Sequence, residues 1–288
     1  MMQALRIRFV AIQQISAVTR CACAPVRYTQ VMLSYQHIYH AGNLADVHKH
    51  SLLAWMLDYL IRKDKPVSYI ETHAGRALYD LTSDEAIKTG EAAMGIERAK
   101  SWFDPDHPYM RCLAQTAETH GQNAYPGSPM IAVQTLRDSD KITLAELHPT
   151  EHLNLELSLP TAKCWRTDGF SMGHSMLPPT PRRGLMLIDP SFEIKDDYLT
   201  IPGHIKKYVR AWNVGTIALW YPILTSGAHH TMLKTLENDN PDALRHEVRF
   251  PPARPGHGMI GSGLFVVRPP FGLAQEAAKL KTRFDALS

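Results

Sequence analysis

The sequence predicts an α/β fold: a mostly parallel, doubly wound sheet with helices on both faces. Three observations carry that expectation. Short apolar runs alternate with helix-length segments, the pattern of strand-helix units. Several runs end on an acidic residue, at Glu146, Asp168 and Asp189. Those three ends lie 22 and 21 residues apart, one strand-helix unit each. Runs without polar alternation are expected to be buried on both sides, as parallel strands are.

From the N-terminus, residues 1–31 carry Arg6, Arg8, Arg20 and Arg27 and no acidic residue. The apolar run Phe9–Ile12 is too short for a signal-peptide core. Met32 is the expected native start, with 1–31 an extension outside the fold. Asn43–Arg62 reads as an amphipathic helix, with Leu44, Val47, Leu52, Leu53, Met56, Leu57 and Leu60 near helical spacing. Asn43 can cap it, and Lys63-Asp64-Lys65-Pro66 ends it. Val67–Ile70 is a strand leading into Glu71-Thr72-His73-Ala74-Gly75. Further strand-like runs are Ile142–Ala145, Lys163–Arg166, Gly184–Ile188, Thr216–Trp220 and Gly263–Val267. Gly75 and Glu146 are 71 residues apart, far more than one unit. A helical insertion over about residues 80–123 is therefore expected inside a 32–288 domain.

Composition narrows the class. With 44% hydrophobic and 20% charged residues in 288, the chain can build a full core. No apolar run reaches the roughly 20 residues of a membrane span, so no membrane partner is expected. Cys21, Cys23, Cys112 and Cys164 form neither a disulfide framework nor a zinc pattern. Reduced thiols and a cytoplasmic location are expected. The net charge is +3, but the first 31 residues contribute +4, leaving −1 for the remainder. Global charge therefore says nothing of a nucleic-acid partner. Local candidates are Arg182-Arg183 and Lys206-Lys207 with Arg210, each equally readable as a solvated face. His48 and His50 lack an H-E-x-x-H arrangement, so no metal is expected.

In an open parallel sheet, ligands bind beyond the carboxyl ends of the strands. The turn Glu71–Ala77 lacks the later glycines that a dinucleotide pyrophosphate requires. S-adenosylmethionine has no phosphate and tolerates such a loop. Glu146 can accept hydrogen bonds from ribose hydroxyls; Asp168 can accept from an adenine amine, with Gly169 allowing close approach of the ring. Singly, each of these is more often a solvated strand end. Asp189-Pro190-Ser191-Phe192 follows a fully apolar run. An amine on an aromatic ring is a poor nucleophile because its lone pair is delocalised. The Asp189 carboxylate and the Pro190 carbonyl can hold its N–H groups, and Phe192 can stack on a flipped base. Asp-Pro by itself is common in turns.

The run MLSYQHIYHAGNLADVHKH from Met32, with THAG (72–75), YPGSP (125–129), ELHP (146–149), DGF (168–170), RRGLMLIDP (182–190) and ALWYPI (218–223), resembles the bacterial 23S ribosomal RNA adenine-N6 methyltransferases of the J type. That family was formerly described as involved in catabolism of external DNA. The resemblance covers essentially all of residues 32–288. It implies a Rossmann-like S-adenosylmethionine-dependent methyltransferase acting on 23S ribosomal RNA outside the assembled ribosome, as a monomer. It implies cofactor contacts at His50, His73, Ser128, Glu146, Asp168, Gly169 and Asp189, catalysis at Asp189 with Pro190 and Phe192, and an RNA contact at Tyr35.

The chain departs from the family at two points. The family tetrapeptide is Asp-Pro-Pro-Tyr, so Ser191 replaces a proline that stiffens the loop, and Phe192 loses a hydroxyl. Arg76-Ala77 stands where the family has a further glycine. The competing expectation is a catalytically weak or silent nucleic-acid-binding protein linked to use of external DNA. A DNA adenine methyltransferase is a third reading, since the same tetrapeptide chemistry serves both.

Overall fold

The computed structural model describes residues 36–254, 256 and 258–287. The expectations for residues 1–31 and for Tyr35 lie outside the described residues. After a 3-10 turn at His37–Tyr39, helix α1 spans Leu44–Ile61. Its start is fixed as expected: Asn43 has extended backbone, and its side chain accepts from the Asp46 amide at 2.9 Å. The expected amphipathicity is not found. Asp46, His48, Lys49, His50 and Ser51 are buried along with the apolar residues. The helix's first eleven residues are covered on all sides, with the polar ones facing protein and cleft, while Trp55, Asp58 and Tyr59 further on stay partly exposed.

The main sheet has seven strands: β1 (Ser68–Glu71), β4 (Lys141–Ala145), β5 (Lys163–Trp165), β6 (Gly184–Ile188), β7 (Thr216–Leu224), β8 (Leu244–Arg249) and β9 (Met259–Val267). Their order is β5-β4-β1-β6-β7-β9-β8. The first five are mutually parallel, while β9 runs antiparallel to both β7 and β8. The sheet is thus mostly parallel, as expected, and Gly263–Val267 belongs to its reversed strand. Alternate residues feed two cores. Tyr69, Leu144, Leu185, Leu187, Leu264 and Val266 pack on the side of α1 and the C-terminal helix α11 (Leu273–Asp285). Ile70, Ala145, Met186, Ile188, Ile217 and Leu219 face α9 (Asp197–Ala211) and α10 (His229–Asp239). Strand β5 is the exception to two-sided burial, because it is the sheet edge and exposes Lys163 and Trp165.

The long segment between β1 and β4 begins and ends in an unforeseen hairpin. Strand β2 (Leu78–Asp80) pairs antiparallel with β3 (Ala124–Pro126). Between them run α2 (Asp84–Thr89), α3 (Glu91–Met94), α4 (Ile96–Ala99) and α5 (Pro108–His120). Helix α6 (Ser128–Thr135) then leads back to β4. Helices α7 (Pro149–Ser158) and α8 (Gly169–Met176) follow β4 and β5. Every residue expected at a carboxyl strand end therefore reaches one rim of the sheet.

Candidate active site

That rim opens into a cavity of about 490 Å³. His50, His73, Ser128, Glu146, Asp168, Asp189, Pro190 and Phe192 all line it. Gly169 does not. A Cβ there would sit 1.8 Å from the Thr72 carbonyl, so the approach of α8 to the β1 loop by itself requires the glycine. Asp168 caps α8, accepting from the Ser171 amide at 2.7 Å.

Glu146 accepts from the Gly75 amide at 2.8 Å and the His148 amide at 2.7 Å. It thereby ties the loop after β1 to the loop after β4. Burial raises its pKa against these two donors. Ser128, at the start of α6, donates to Glu71 Oε1 at 2.5 Å, and Tyr69 donates to Oε2 at 2.8 Å. Burial nevertheless pushes Glu71 up to about 8. His50 shares a 2.8 Å hydrogen bond with the Tyr125 hydroxyl, and burial lowers its pKa to about 3. His73 bonds Thr72 Oγ1 at 2.8 Å and meets Phe170 edge-on at 5.1 Å. Burial lowers it to about 4.

Sequence reasoning missed the group that holds Asp189. Lys49 Nζ donates to Asp189 Oδ2 at 2.6 Å and lies 3.2 Å from Asp46 Oδ1. Burial opposes the ammonium charge, but Asp189 and Asp46 hold its pKa above the ordinary lysine value. Asp46 in turn accepts from the Gly42 amide and contacts His37 Nε2, each at 2.9 Å. Burial alone would raise its carboxyl, yet His37, Lys49 and His50 hold it well below the usual range. The signal was present: Asp46 and Lys49 are an opposite-charge pair one helical turn apart in a helix rich in apolar residues. Charges at such positions are buried only when paired.

Phe192 adopts φ 55° and is buried, its ring 4.8 Å from Tyr198 and 6.1 Å from Trp220. Trp220 also lines the cavity, with Lys49 Nζ 5.5 Å from its ring centre. The arrangement places a carboxylate with one braced oxygen, a free-facing loop and two aromatic rings at one point. Among the described residues, six carboxylates line the cavity, from Asp46, Glu146, Glu151, Asp168, Asp189 and Asp197, against one ammonium, that of Lys49. Burial and the neighbouring Asp196 raise Asp197 to about 6. Such a lining favours a cationic guest.

The family model described as Ribosomal RNA large subunit methyltransferase D, RlmJ, matches residues 64–284. A protein named Ribosomal RNA large subunit methyltransferase J from Escherichia coli is 38% identical over 254 residues, covering 85% of this chain and 90% of the relative. Its namesake from Haemophilus influenzae is 36% identical over 263 residues, covering 86% and 92%. The crystal structure of a Legionella pneumophila protein superposes with a TM-score of 0.77 at 34% identity, covering 86% of this chain and 94% of that one. The chain belongs to the RlmJ family of ribosomal RNA large subunit methyltransferases.

Proposed function

We propose that the protein transfers a methyl group from S-adenosylmethionine to the N6 amine of an adenine in 23S ribosomal RNA. The observation that carries this reading is the braced Asp189 beside Pro190 and Phe192 at the mouth of β6. The cofactor presents an electrophilic methyl on a sulfonium centre. The residues fit it: the cavity has the volume of a small-molecule site and a carboxylate-rich lining suited to its positive charge. Glu146 would hold the ribose hydroxyls and Asp168 the adenine amine, with His50, His73 and Ser128 completing the wall.

Lys49 fixes Asp189 through Oδ2. That leaves Oδ1 to accept one N–H of the target amine, while the Pro190 carbonyl accepts the other. Both acceptors bind more strongly as the nitrogen pyramidalises and positive charge develops, so they act on the transition state. Phe192 and Trp220 supply apolar faces for an extruded base. Tyr35 is taken as an RNA contact on the strength of the resemblance alone. We further read α2–α5 as a helical insertion in a methyltransferase domain spanning 32–288, because the β2–β3 hairpin closes its two ends. Unassembled 23S RNA is taken as the substrate, a single chain as the working unit, and the cytoplasm as its location. No helix among the described residues is long and apolar enough to cross a membrane.

The test is transfer of labelled methyl to a 23S transcript lacking the modification, and to intact large subunits in parallel. Asp189→Ala should lower turnover by at least about 100-fold, the scale of a positioned group in the transition state. Ser191→Pro should raise turnover if the serine loosens the loop. A wild type that binds S-adenosylmethionine but methylates no RNA, with no rescue by Ser191→Pro, would return the protein to the silent-binder reading.

A further inference from the structure

A set of buried polar residues, Ser262, His48 and His246, lies behind Trp220 and takes no part in the chemistry above. Trp220 Nε1 donates to Ser262 Oγ at 2.8 Å. Ser262 Oγ is 2.8 Å from His48 Nδ1, and His48 Nε2 is 2.9 Å from His246 Nδ1. Ser262 and His48 have no exposure and His246 only 9%. The four residues come from β7, β9, α1 and β8, so the chain of bonds crosses the reversed end of the sheet.

We propose that Ser262, His48 and His246 are positioning residues that fix the plane of Trp220 as a wall of the adenine slot. The inference rests on the Asp189 site being the place where the amine is handled.

The direction of the bonds follows from the one group that can only donate. An indole N–H has no acceptor role, so Ser262 Oγ must accept from Trp220. Its oxygen could accept a second bond, but His48 Nδ1 is its one other partner among the described residues, so we take its own proton to go there. This makes His48 the Nε2–H tautomer, which donates to His246 Nδ1. Each residue therefore dictates the proton position of the next. Both imidazoles are neutral, because burial lowers the pKa of each.

Stability gives no reason for this construction. Replacing a buried polar set by apolar residues of similar shape is often neutral or favourable. What a hydrogen-bonded chain adds is a single ring orientation, since a tilt of the indole would leave several buried groups unpaired at once. The placement also explains why adjacent residues of α1 are both polar. Lys49 braces Asp189 on one side of the slot, and His48 braces Trp220 through Ser262 on another. One helix thereby sets the distance between the acceptor for the amine and an aromatic wall for the base.

The experiment is a double-mutant cycle on the full chain, read by methyl transfer to the 23S transcript and by calorimetric binding of S-adenosylmethionine. Ser262→Ala should lower kcat/KM for RNA by about tenfold, the equivalent of one positioned hydrogen bond. Cofactor affinity should stay within about twofold, because neither Ser262 nor His48 lines the cavity. Ser262→Thr, which keeps the hydroxyl, should recover most of the loss. In a Trp220→Phe background, which has no N–H to hold, Ser262→Ala should cost nothing further. In ¹⁵N-indole spectra, Ser262→Ala and His48→Leu should both shift the Trp220 N–H resonance. An equal loss from Ser262→Ala in both backgrounds would overturn the proposal, since the serine would then act by a route other than Trp220. Unchanged kcat/KM in Trp220→Phe would overturn it too, because Trp220 would be no wall. Full turnover in Asp189→Ala alongside a normal Trp220 cycle would instead refute the amine site and leave the slot wall standing.

Discussion

Two residues of the nucleotide loop show how a departure from a family pattern becomes strain. Ala77 holds φ 68°, a left-handed conformation that glycine adopts without penalty and a Cβ does not. It stands in the loop where the resemblance implies a further glycine. Ala77→Gly should therefore stabilise the protein by roughly 0.5–1 kcal/mol, seen as a higher urea midpoint at unchanged slope. An unchanged or lower midpoint would mean that the buried methyl matters more than the strain. Arg76, the other departure, pairs with Glu151 through two bonds of 2.8 and 2.6 Å, and so fastens the loop to α7. Glu146 tests the cofactor assignment. Glu146→Ala should weaken S-adenosylmethionine binding by about 1–3 kcal/mol, the scale of charge-assisted hydrogen bonds. Unaltered affinity would remove its ribose role. Among the site residues, Glu146 and Asp189 were legible in the sequence because each ends an apolar run, and Asp168 because it lies one strand-helix unit from both. The left-handed backbone of Ala77 and Phe192 was not, since neither residue type favours it.

At the scale of one element, α1 carries the main lesson about legibility. Its boundaries followed from Asn43 and from the Lys63–Pro66 stretch, because caps and breakers are local chemistry. Its burial did not follow. Apolar residues near helical spacing predicted one buried stripe, and the structure buries the polar face as well. The reason is tertiary: α1 is covered by α5, α6, α11 and β9, while its remaining side forms the cavity wall. Lys49 is the consequence with most at stake. It is 6% exposed and stands between Asp46 and Asp189. Lys49→Met would leave two carboxylates close together without a cation. Removing one partner from a buried pair costs about 3–5 kcal/mol, so urea unfolding at pH 7.5 should show a loss of that order. Part of the loss should return on mild acidification, as one carboxyl takes up a proton. A stable Lys49→Met protein would mean that the ion pair contributes little in the native state.

For the whole molecule, the parallel half of the sheet was legible because its strand ends recur at even spacing, and the reversed half was not. Strand β8 has only Leu244 and Val248 as apolar residues over Leu244–Arg249, and nothing local marks β9 as antiparallel. Packing of these elements buries several titratable groups together, and their shifts combine into one pH profile. His48, His50, His73 and His246 all have pKa values depressed by burial, with His50 at about 3 and His73 and His246 at about 4. Each contributes stability that is complete above the unfolded value of 6.5 and is lost as pH falls toward the folded one. Glu71 has the opposite sign. Its pKa is raised by burial to about 8, so its contribution is complete below 4.5 and is lost as pH rises through 8. His40 also works against the four histidines. Burial lowers its pKa, but the hydrogen bond to Glu91 and the charges of Glu91 and Asp46 together outweigh that and leave it raised. Among these six groups the unfolded chain binds about two to three more protons near pH 5 than the native one, and Asp197, raised to about 6, offsets roughly one of them. Above pH 6.5 the histidine contribution vanishes and Glu71 dominates. Stability should peak near pH 6.5–7, with a steep acid limb and a shallow alkaline limb, as measured by urea unfolding from pH 5 to 9. Glu71→Gln should flatten the alkaline limb and steepen the acid one, because Glu71 holds an extra native proton from about pH 4.5 to 8 and opposes the histidines over that range. His48→Leu should reduce the slope of the acid limb alone. An alkaline limb steeper than the acid one would show that these histidines are not held neutral in the fold.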